Sequence, residues 1–153
     1  MANVVLLLGS ASDRPVAAKA EQVLKQLGID YVTHVASAHR TPRRVVELVE
    51  NSGAQVFIAI AGLSAALPGV VAAHTRKPVI GVPCASESSP GNLDSLLSVV
   101  QMPPGVPVGA VGLGRGENAA LLAARILALG NDAVASALED YQAELERKVI
   151  ESS

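Results

Sequence analysis

The sequence has few aromatic residues, no tryptophan and a single cysteine. Its only aromatic residues are Tyr31, Phe57 and Tyr141, so the stacking platforms of proteins that bind single-stranded nucleic acid are missing, and an aromatic-rich sugar platform is equally unsupported. Because Cys84 is the one cysteine, an intrachain disulfide is excluded, and a cysteine-based zinc site would need several other ligands. We interpret Cys84 as a buried, inert thiol.

An excess of positive charge and a long apolar run are also absent. The 12 basic residues are outnumbered by 14 acidic ones, for a formal net charge of -2, which leaves no overall positive field to drive nucleic-acid binding. No uninterrupted apolar segment reaches the roughly 18 residues of a membrane helix, and the start, MANVVLLLGS, has no basic leader. We expect a soluble, cytoplasmic protein that binds neither nucleic acid nor membrane.

What the chain does have is a high apolar content. Half of its 153 residues are hydrophobic and 17% are charged, so it must bury much of its surface. The length is close to that of one ordinary domain. We predict a single domain over residues 1–153, with a core at 1–130 and a C-terminal helix at 131–153.

Short continuous apolar runs alternate with amphipathic stretches along this chain. A run without alternation, such as Val4–Leu8, is typical of a strand covered on both faces. The pattern predicts five strands, at Val4–Leu8, Tyr31–Ala36, Val56–Ala61, Pro78–Val82 and Pro107–Val111. Helices are predicted from a cap at Asp13 to Gly28, and over Thr41–Glu50, Leu67–His74, Leu93–Val100, Glu117–Leu129 and, capped by Asp132, Ala133–Ile150. This order predicts a three-layer α/β/α fold with a five-stranded parallel sheet in flavodoxin-like order and a C-terminal helical extension.

One helix is more apolar than a monomer of this size needs. Asn118–Leu129 is nearly all Ala, Leu and Ile, which exceeds one buried face. We therefore expect another subunit to cover part of it, and the C-terminal helix at 131–153 to pack on a neighbouring subunit as well.

The loops after the first and third strands are rich in small residues. Gly9-Ser10-Ala11-Ser12-Asp13 lets backbone amides approach a phosphate at a helix start, although Ser12 and Asp13 could merely cap the helix. The loop with Gly62, Ser64 and Ala65 could press backbone against a flat ligand, or could serve only close helix–sheet packing. Both readings of each loop stay open from these segments alone.

The loop after the second strand places two chemically active side chains together. In Ser37-Ala38-His39-Arg40-Thr41-Pro42, arginine offers a fixed fork for phosphate and histidine can exchange protons near neutral pH. The alternative is a solvated Arg40 and a His39 that satisfies a backbone carbonyl. Of the other two histidines, we interpret His34, within a predicted strand, as structural and His74 as a cation at a helix end. The polar loop from Pro83 to Gly91 is either a mobile lid or a solvated surface loop.

Several strings in the chain resemble one known family. GSASD, SAHRTP, AGLSAALPGVVAAHT, LDSLLSVVQMPPGVPV and GENAALLAARILAL are similar in order and spacing to the N5-carboxyaminoimidazole ribonucleotide mutases of purine biosynthesis, from about Val4 to Leu129. The resemblance implies transfer of a carboxylate from the exocyclic nitrogen of an aminoimidazole ribonucleotide to its ring carbon, without metal, ATP or organic cofactor. It also implies a homo-octamer with active sites between subunits.

The same resemblance implies roles for individual residues. His39 becomes the candidate general acid/base, and Ser10, Asp13 and Arg40 hold the phosphate and ribose of the substrate. The further predicted substrate contacts are Ser12, Ser37, Gly62, Ser64 and Ala65. We predict no metal ligand and no cofactor.

The chain departs from the family pattern in two loops. Ala66 stands where the family usually has a histidine before Leu-Pro-Gly, and the loop 84–92 is more serine-rich and longer by one residue. Two other functions therefore stay open: an aminoimidazole ribonucleotide carboxylase that uses free carbon dioxide, and a nucleotide- or phosphate-binding module without catalysis. The presence of His39 beside Arg40 favours the mutase over the binding module, because a pure binder needs no proton carrier.

Overall fold

The computed structural model describes all residues from Met1 to Ser153. Its strands are β1 (Val4–Leu8), β2 (Tyr31–Val35), β3 (Val56–Gly62), β4 (Val79–Cys84) and β5 (Gly109–Ala110). Its α-helices are α1 (Arg14–Gln26), α2 (Pro42–Glu50), α3 (Leu67–Ala73), α4 (Leu93–Val100), α5 (Gly116–Ala128) and α6 (Asp132–Glu151). Short 3₁₀ turns lie at Ala11–Asp13 and Pro90–Asn92.

The five strands form one sheet in the order β2-β1-β3-β4-β5, and every neighbouring pair is parallel. This confirms the predicted parallel sheet and its flavodoxin-like order. The strand β3 lies at the centre, with Leu8 beside Ile60 on one side and Gly62 beside Cys84 on the other. The carboxyl ends of β1, β3 and β4 therefore meet at one edge, where sheets of this order bind ligands.

Helices cover both faces of the sheet. Every residue of β1 and β4 is buried, which is why these strands read as continuous apolar runs. Alternate side chains such as Leu6 and Ile58 pack under α1 and α5, and their neighbours such as Leu7 and Phe57 pack under α2 and α3. The core therefore has two halves, one on each side of the sheet, as the three-layer prediction requires.

The apolar surplus of α5 is covered within the chain. Its face of Ala119, Ala120, Ala123 and Ala124 is fully buried, and the helix packs on α1 and α6. At its first residue, Gly116, a Cβ would lie 2.1 Å from the carbonyl oxygen of Val16, so only glycine permits this approach of α1. The alanine face therefore needs no second subunit, since α6 packs on α5; Leu129 stays 90% exposed, and the expectation that another subunit covers part of this helix stays a prediction.

The C-terminal helix packs on its own chain through its first half. Val134 and Leu138, in the first half of α6, are buried in the same core as α1 and α5, so this half packs on its own chain, and packing of the helix on a neighbouring subunit stays a prediction. Asn131 caps the helix, since its side chain accepts hydrogen bonds from the amides of Ala133 and Val134; the predicted cap at Asp132 was wrong. In the second half, Leu145, Val149 and Ile150 are exposed.

Two strands have bounds that differ from the sequence prediction: β4 is displaced toward Cys84, and β5 is shorter. The strand β4 begins at Val79 and not at Pro78, and β5 consists of Gly109 and Ala110 alone. Proline has no N–H for the ladder, so Pro78 precedes β4, whereas Pro83 is accommodated inside that strand. None of the helices combines the length and the apolar character needed to cross a membrane.

Candidate active site

A cavity of about 750 Å³ opens at the carboxyl edge of the sheet. All five strands contribute to it, because the loop that follows each strand supplies at least one lining residue. Eight of its 19 lining residues are hydrophobic. This mixture of apolar wall and a few polar groups is typical of a pocket for a small molecule.

The loop after β1 is held rigid by its own side chains. The amide of Ser10 donates to Oδ2 of Asp13 at 3.0 Å, and the amide of Ser12 donates to Oγ of Ser10 at 3.3 Å. The two bonds form a capping box around the 3₁₀ turn. Asp13 makes no side-chain bond to α1, which follows it, so its carboxylate serves the turn and not the helix start that the sequence predicted.

Asp13 is an unusual carboxylate because it is buried, at 8% exposure. Burial raises its pKa above the ordinary value of 3.8, although contacts with the Cys84 thiol, the Ser10 amide and the Arg40 charge act in the opposite direction. The thiol of Cys84 is buried as well, and its pKa rises to about 12 through burial and the neighbouring Asp13 charge. The thiol therefore stays protonated at neutral pH, in agreement with the prediction of an inert cysteine.

The loop after β2 is anchored to the loop after β1. Nη2 of Arg40 donates to the carbonyl oxygen of Gly9 at 3.1 Å, and its Nε donates to Oγ of Ser37 at 3.4 Å. The Ser37 amide in turn donates to Oγ1 of Thr41 at 2.9 Å. Arg40 is thus a positioned guanidinium and not a freely solvated one, and it retains further N–H groups for a ligand.

His39 stands beside this guanidinium on the wall of the same cavity. It is exposed. The one imidazole hydrogen bond in the chain belongs to His74, whose Nδ1 lies 3.1 Å from Oε1 of Glu50 at a site remote from the cavity. The alternative in which His39 satisfies a backbone carbonyl therefore finds no support, and its imidazole is available to a ligand.

The loop after β3 turns sharply into α3. Leu63 adopts a left-handed conformation with φ of 52°, and the next turns are closed by the amide of Ala65 donating to the Leu63 carbonyl at 2.9 Å and that of Ala66 to the Ser64 carbonyl at 2.7 Å. Gly62, Leu63, Ser64 and Ala66 line the cavity. Ala65 does not, because this turn buries its side chain in the core at 1% exposure.

The loop after β4 is tied down at both ends. The Ser86 amide donates to Oδ1 of Asn92 at 2.9 Å, and Oγ of the buried Ser95 donates to the Cys84 carbonyl at 3.0 Å. Only Cys84, Ala85 and Ser86 of this segment line the cavity. The serines farther along, which suggested a lid in the sequence, lie outside it.

Sequence reasoning brought together most of the site. Of the nine predicted residues, eight line one cavity: Ser10, Ser12, Asp13, Ser37, His39, Arg40, Gly62 and Ser64. The ninth, Ala65, does not. The prediction also missed Gly114, in the loop after β5, whose amide donates to the Pro83 carbonyl at 2.8 Å. The available sequence signal was a glycine in the turn between the fifth strand and the next helix. In the structure this glycine has a φ of 65°. No three histidine, cysteine, aspartate or glutamate side chains are grouped as metal ligands.

Comparison with known proteins agrees with this geometry. The chain matches the model of the family described as AIR carboxylase over residues 3–148. It is 53% identical to the N5-carboxyaminoimidazole ribonucleotide mutase of Methanocaldococcus jannaschii, covering 97% of this chain and 94% of that protein. It is 44% identical to the enzyme of the same name from Thermotoga maritima, covering 100% of this chain and 91% of that protein.

A solved structure supports the same relationship. The crystal structure of Treponema denticola PurE superposes with a TM-score of 0.86 at 34% identity, and the match covers 97% of this chain and 94% of that one. Fold and sequence agree over nearly the whole length. The protein therefore belongs to the AIR carboxylase family.

Proposed function

We propose that this protein is a mutase that converts N5-carboxyaminoimidazole ribonucleotide to 4-carboxy-5-aminoimidazole ribonucleotide in purine biosynthesis. Two relatives over most of the chain carry the name of that enzyme. The observation that carries the proposal is the junction of two loops: Arg40 binds the Gly9 carbonyl and so brings His39 to the same cavity as Ser10 and Asp13.

The cavity suits a ribonucleotide in size and in polarity. Its volume of about 750 Å³ lies in the range of roughly 300–1,000 Å³ that small-molecule sites occupy. Arg40 supplies positive charge and a fork of N–H donors for the phosphate, and the hydroxyls of Ser10 and Ser12 lie 3.0 Å apart beside it. The carboxylate of Asp13 is suited to accept hydrogen bonds from ribose hydroxyls.

His39 is the proposed acid and base of the reaction. When the N–C bond to the carboxylate breaks, its electron pair returns to nitrogen, and the imidazolium of His39 protonates that nitrogen. The ring carbon then attacks carbon dioxide, a C–C bond forms, and the ring proton passes to the neutral imidazole. The protons therefore balance over one turnover, and one histidine is sufficient for both transfers.

The geometry favours a mechanism without a second imidazole. Ala66 lines the cavity at the position where the sequence pattern of the family predicts histidine, and no other histidine reaches the cavity. His34 lies within β2, and His74 pairs with Glu50. The proposed proton chemistry therefore rests on His39 alone.

Assembly into a homo-oligomer, most simply the octamer of the resemblance with sites between subunits, belongs to the same proposal. On α4, Leu93, Leu97 and Val100 are 56%, 49% and 44% exposed, and their spacing places them on one stripe of the helix. Exposed apolar stripes of this kind indicate protein contacts. We also propose that the enzyme acts in the cytoplasm with the rest of a biosynthetic pathway.

The experiment that tests the function is an assay without ATP. The purified protein receives N5-carboxyaminoimidazole ribonucleotide in one reaction, and the uncarboxylated ribonucleotide with bicarbonate in another. The proposal predicts rapid product formation from the first substrate at low carbon dioxide. Product from the second substrate alone would instead assign the carboxylase reaction, and tight binding without turnover of either would assign a binding module.

A further inference from the structure

Leu63 is an unusual residue in the wall of the cavity. It has a φ of 52°, in the left-handed region that glycine adopts freely and other residues avoid. It is also 47% exposed, which makes it the only leucine, valine or isoleucine of the lining with a largely exposed side chain, since Leu67 is buried and Val16 is half-buried. A strained backbone that carries an exposed apolar side chain needs an explanation.

The fold does not supply that explanation. Leu63 belongs to neither of the two buried clusters, and nearly half of its surface is exposed. What the turn needs is the backbone conformation at position 63, because the Leu63 carbonyl accepts the bond from Ala65 that closes the turn. Glycine would form the same turn without strain, so folding alone favours glycine at this position.

The position of Leu63 in the sheet indicates what its side chain does. It directly follows β3, the central strand, so it lies between the loop of Gly9 and Ser10 and the loop of Cys84 and Ala85. All of these residues line the same cavity. An apolar side chain at the middle of the carboxyl edge removes water from the centre of the site.

We propose that Leu63 retains carbon dioxide in the site during the interval between its release from nitrogen and its addition to carbon. The inference rests on the proposed mutase reaction, in which carbon dioxide exists free within the cavity. Carbon dioxide has no net dipole and is a weak hydrogen-bond acceptor, so hydrogen bonds alone hold it poorly, and contact with an apolar side chain that excludes water adds to its retention. The strain at position 63 is then the cost of placing this side chain over the reacting atoms.

The test measures retention of the transferred carboxylate. The substrate carries a labelled carboxyl group, and the reaction runs in excess unlabelled bicarbonate at low conversion. The label in the product and the release of uncarboxylated ribonucleotide are measured for wild type and for Leu63→Gly, Leu63→Asn and Leu63→Met. Leu129→Asn is the matched control, because Leu129 is 90% exposed and lies outside the cavity.

We expect wild type, Leu63→Met and Leu129→Asn to retain most of the label. In Leu63→Gly and Leu63→Asn, we expect at least a several-fold rise in label loss and in release of the uncarboxylated ribonucleotide. Both of these residues tolerate left-handed backbone, so both variants should unfold at the same temperature as wild type or higher. If Leu63 only stabilised the fold, Leu63→Gly and Leu63→Asn would unfold at a lower temperature than wild type and would retain the label as well as wild type does.

Two outcomes overturn different claims. If wild type converts the substrate and all Leu63 variants retain the label equally well, the assignment to Leu63 is wrong while the mutase function stands. Equal loss of label from Leu63→Met and Leu63→Gly would also reject the assignment to Leu63. If wild type itself does not convert the carboxylated substrate, the proposed function is wrong and the inference goes with it. Should Leu63→Gly fail to fold, Leu63→Asn gives the same comparison with an unchanged number of side-chain heavy atoms.

Discussion

Nη2 of Arg40 donates a hydrogen bond to the carbonyl oxygen of Gly9 at 3.1 Å, across 31 positions of sequence. This bond joins the carboxyl ends of β2 and β1, which are neighbours in the sheet. Because the Gly9 carbonyl and the Ser37 hydroxyl hold the guanidinium at the cavity, Arg40 needs little further ordering to bind a ligand. The proposed phosphate site is therefore organised before the substrate binds.

The first prediction concerns Arg40→Lys. Lysine keeps the positive charge, but it cannot donate to Gly9, Ser37 and a phosphate from one planar group. We expect substrate affinity to fall by about 1–3 kcal/mol, on the scale of charged hydrogen bonds. Isothermal titration with product or with aminoimidazole ribonucleotide measures the change. Arg43→Lys, at an exposed arginine of the neighbouring helix α2 outside the cavity, is the control; unchanged affinity in Arg40→Lys would contradict the assigned role.

The second prediction concerns the proton carrier. His39→Asn should abolish turnover and leave ligand affinity within a few-fold of wild type, because asparagine is polar and of similar reach but cannot transfer a proton. Steady-state kinetics and titration on the same preparation separate the two effects. His74→Asn, at a histidine outside the cavity, should keep full activity. Near-normal turnover in a folded His39→Asn protein would remove His39 from catalysis.

The third prediction follows from the raised pKa of Asp13. The folded state binds the Asp13 proton more tightly than the unfolded state does, so the contribution of this group to stability is present below about pH 3.8 and is lost as the pH rises through the folded-state pKa. The amide introduced by Asp13→Asn does not titrate. The free energy of unfolding of Asp13→Asn, relative to wild type, should therefore increase from acid to neutral pH.

Denaturant titrations of both proteins at several pH values measure this difference. Both proteins contain all the other titrating groups, so the contributions of these groups largely cancel in the difference between the two free energies of unfolding, except for groups that contact Asp13. The same substitution should weaken substrate binding, because an amide cannot accept two ribose hydroxyls as a carboxylate does. A relative stability that stays constant or falls between acid and neutral pH would show that burial does not dominate at Asp13.

The fourth prediction concerns assembly. Leu97→Glu, in the middle of the exposed stripe on α4, should give a smaller particle in sedimentation while far-ultraviolet circular dichroism stays unchanged. Gln22→Glu, on the exposed face of α1, introduces the same charge elsewhere and should leave the particle size intact. If Leu97→Glu sediments as wild type does, α4 is not the subunit contact.

The sequence was sufficient to predict most of the fold because burial leaves a direct signature there. The runs at Val4–Leu8 and Val56–Gly62 are apolar at every position since helices cover both of their faces. The sequence of a helix does not show which element of the structure covers it. The alanine face of α5 indicates only a close neighbour, and whether that neighbour is another subunit or α6 depends on the path of the chain after Gly130.

The site was predictable to the extent that it follows strand ends. His39 and Arg40 belong to one loop, and the parallel order brings that loop to Ser10 and Asp13. The prediction that Ala65 contacts the substrate was not supported, because the left-handed turn at Leu63 directs the Ala65 side chain into the core. A leucine does not indicate such a turn. The contact between Cys84 and Asp13 depends on the register of β3 and β4, a relation that no local pattern contains.

The glycine at position 116 gives the small-residue contact between α1 and α5 a further meaning. Gly116 is two residues after Gly114, whose amide is bonded to the Pro83 carbonyl at the cavity. A methyl group at position 116 would meet the Val16 carbonyl and push the start of α5 outward, and Gly114 would be pulled away from the site with it. A substitution in the contact between α1 and α5 would therefore also alter the wall of the cavity at Gly114. The interior packing near Gly116 and the shape of the site are coupled.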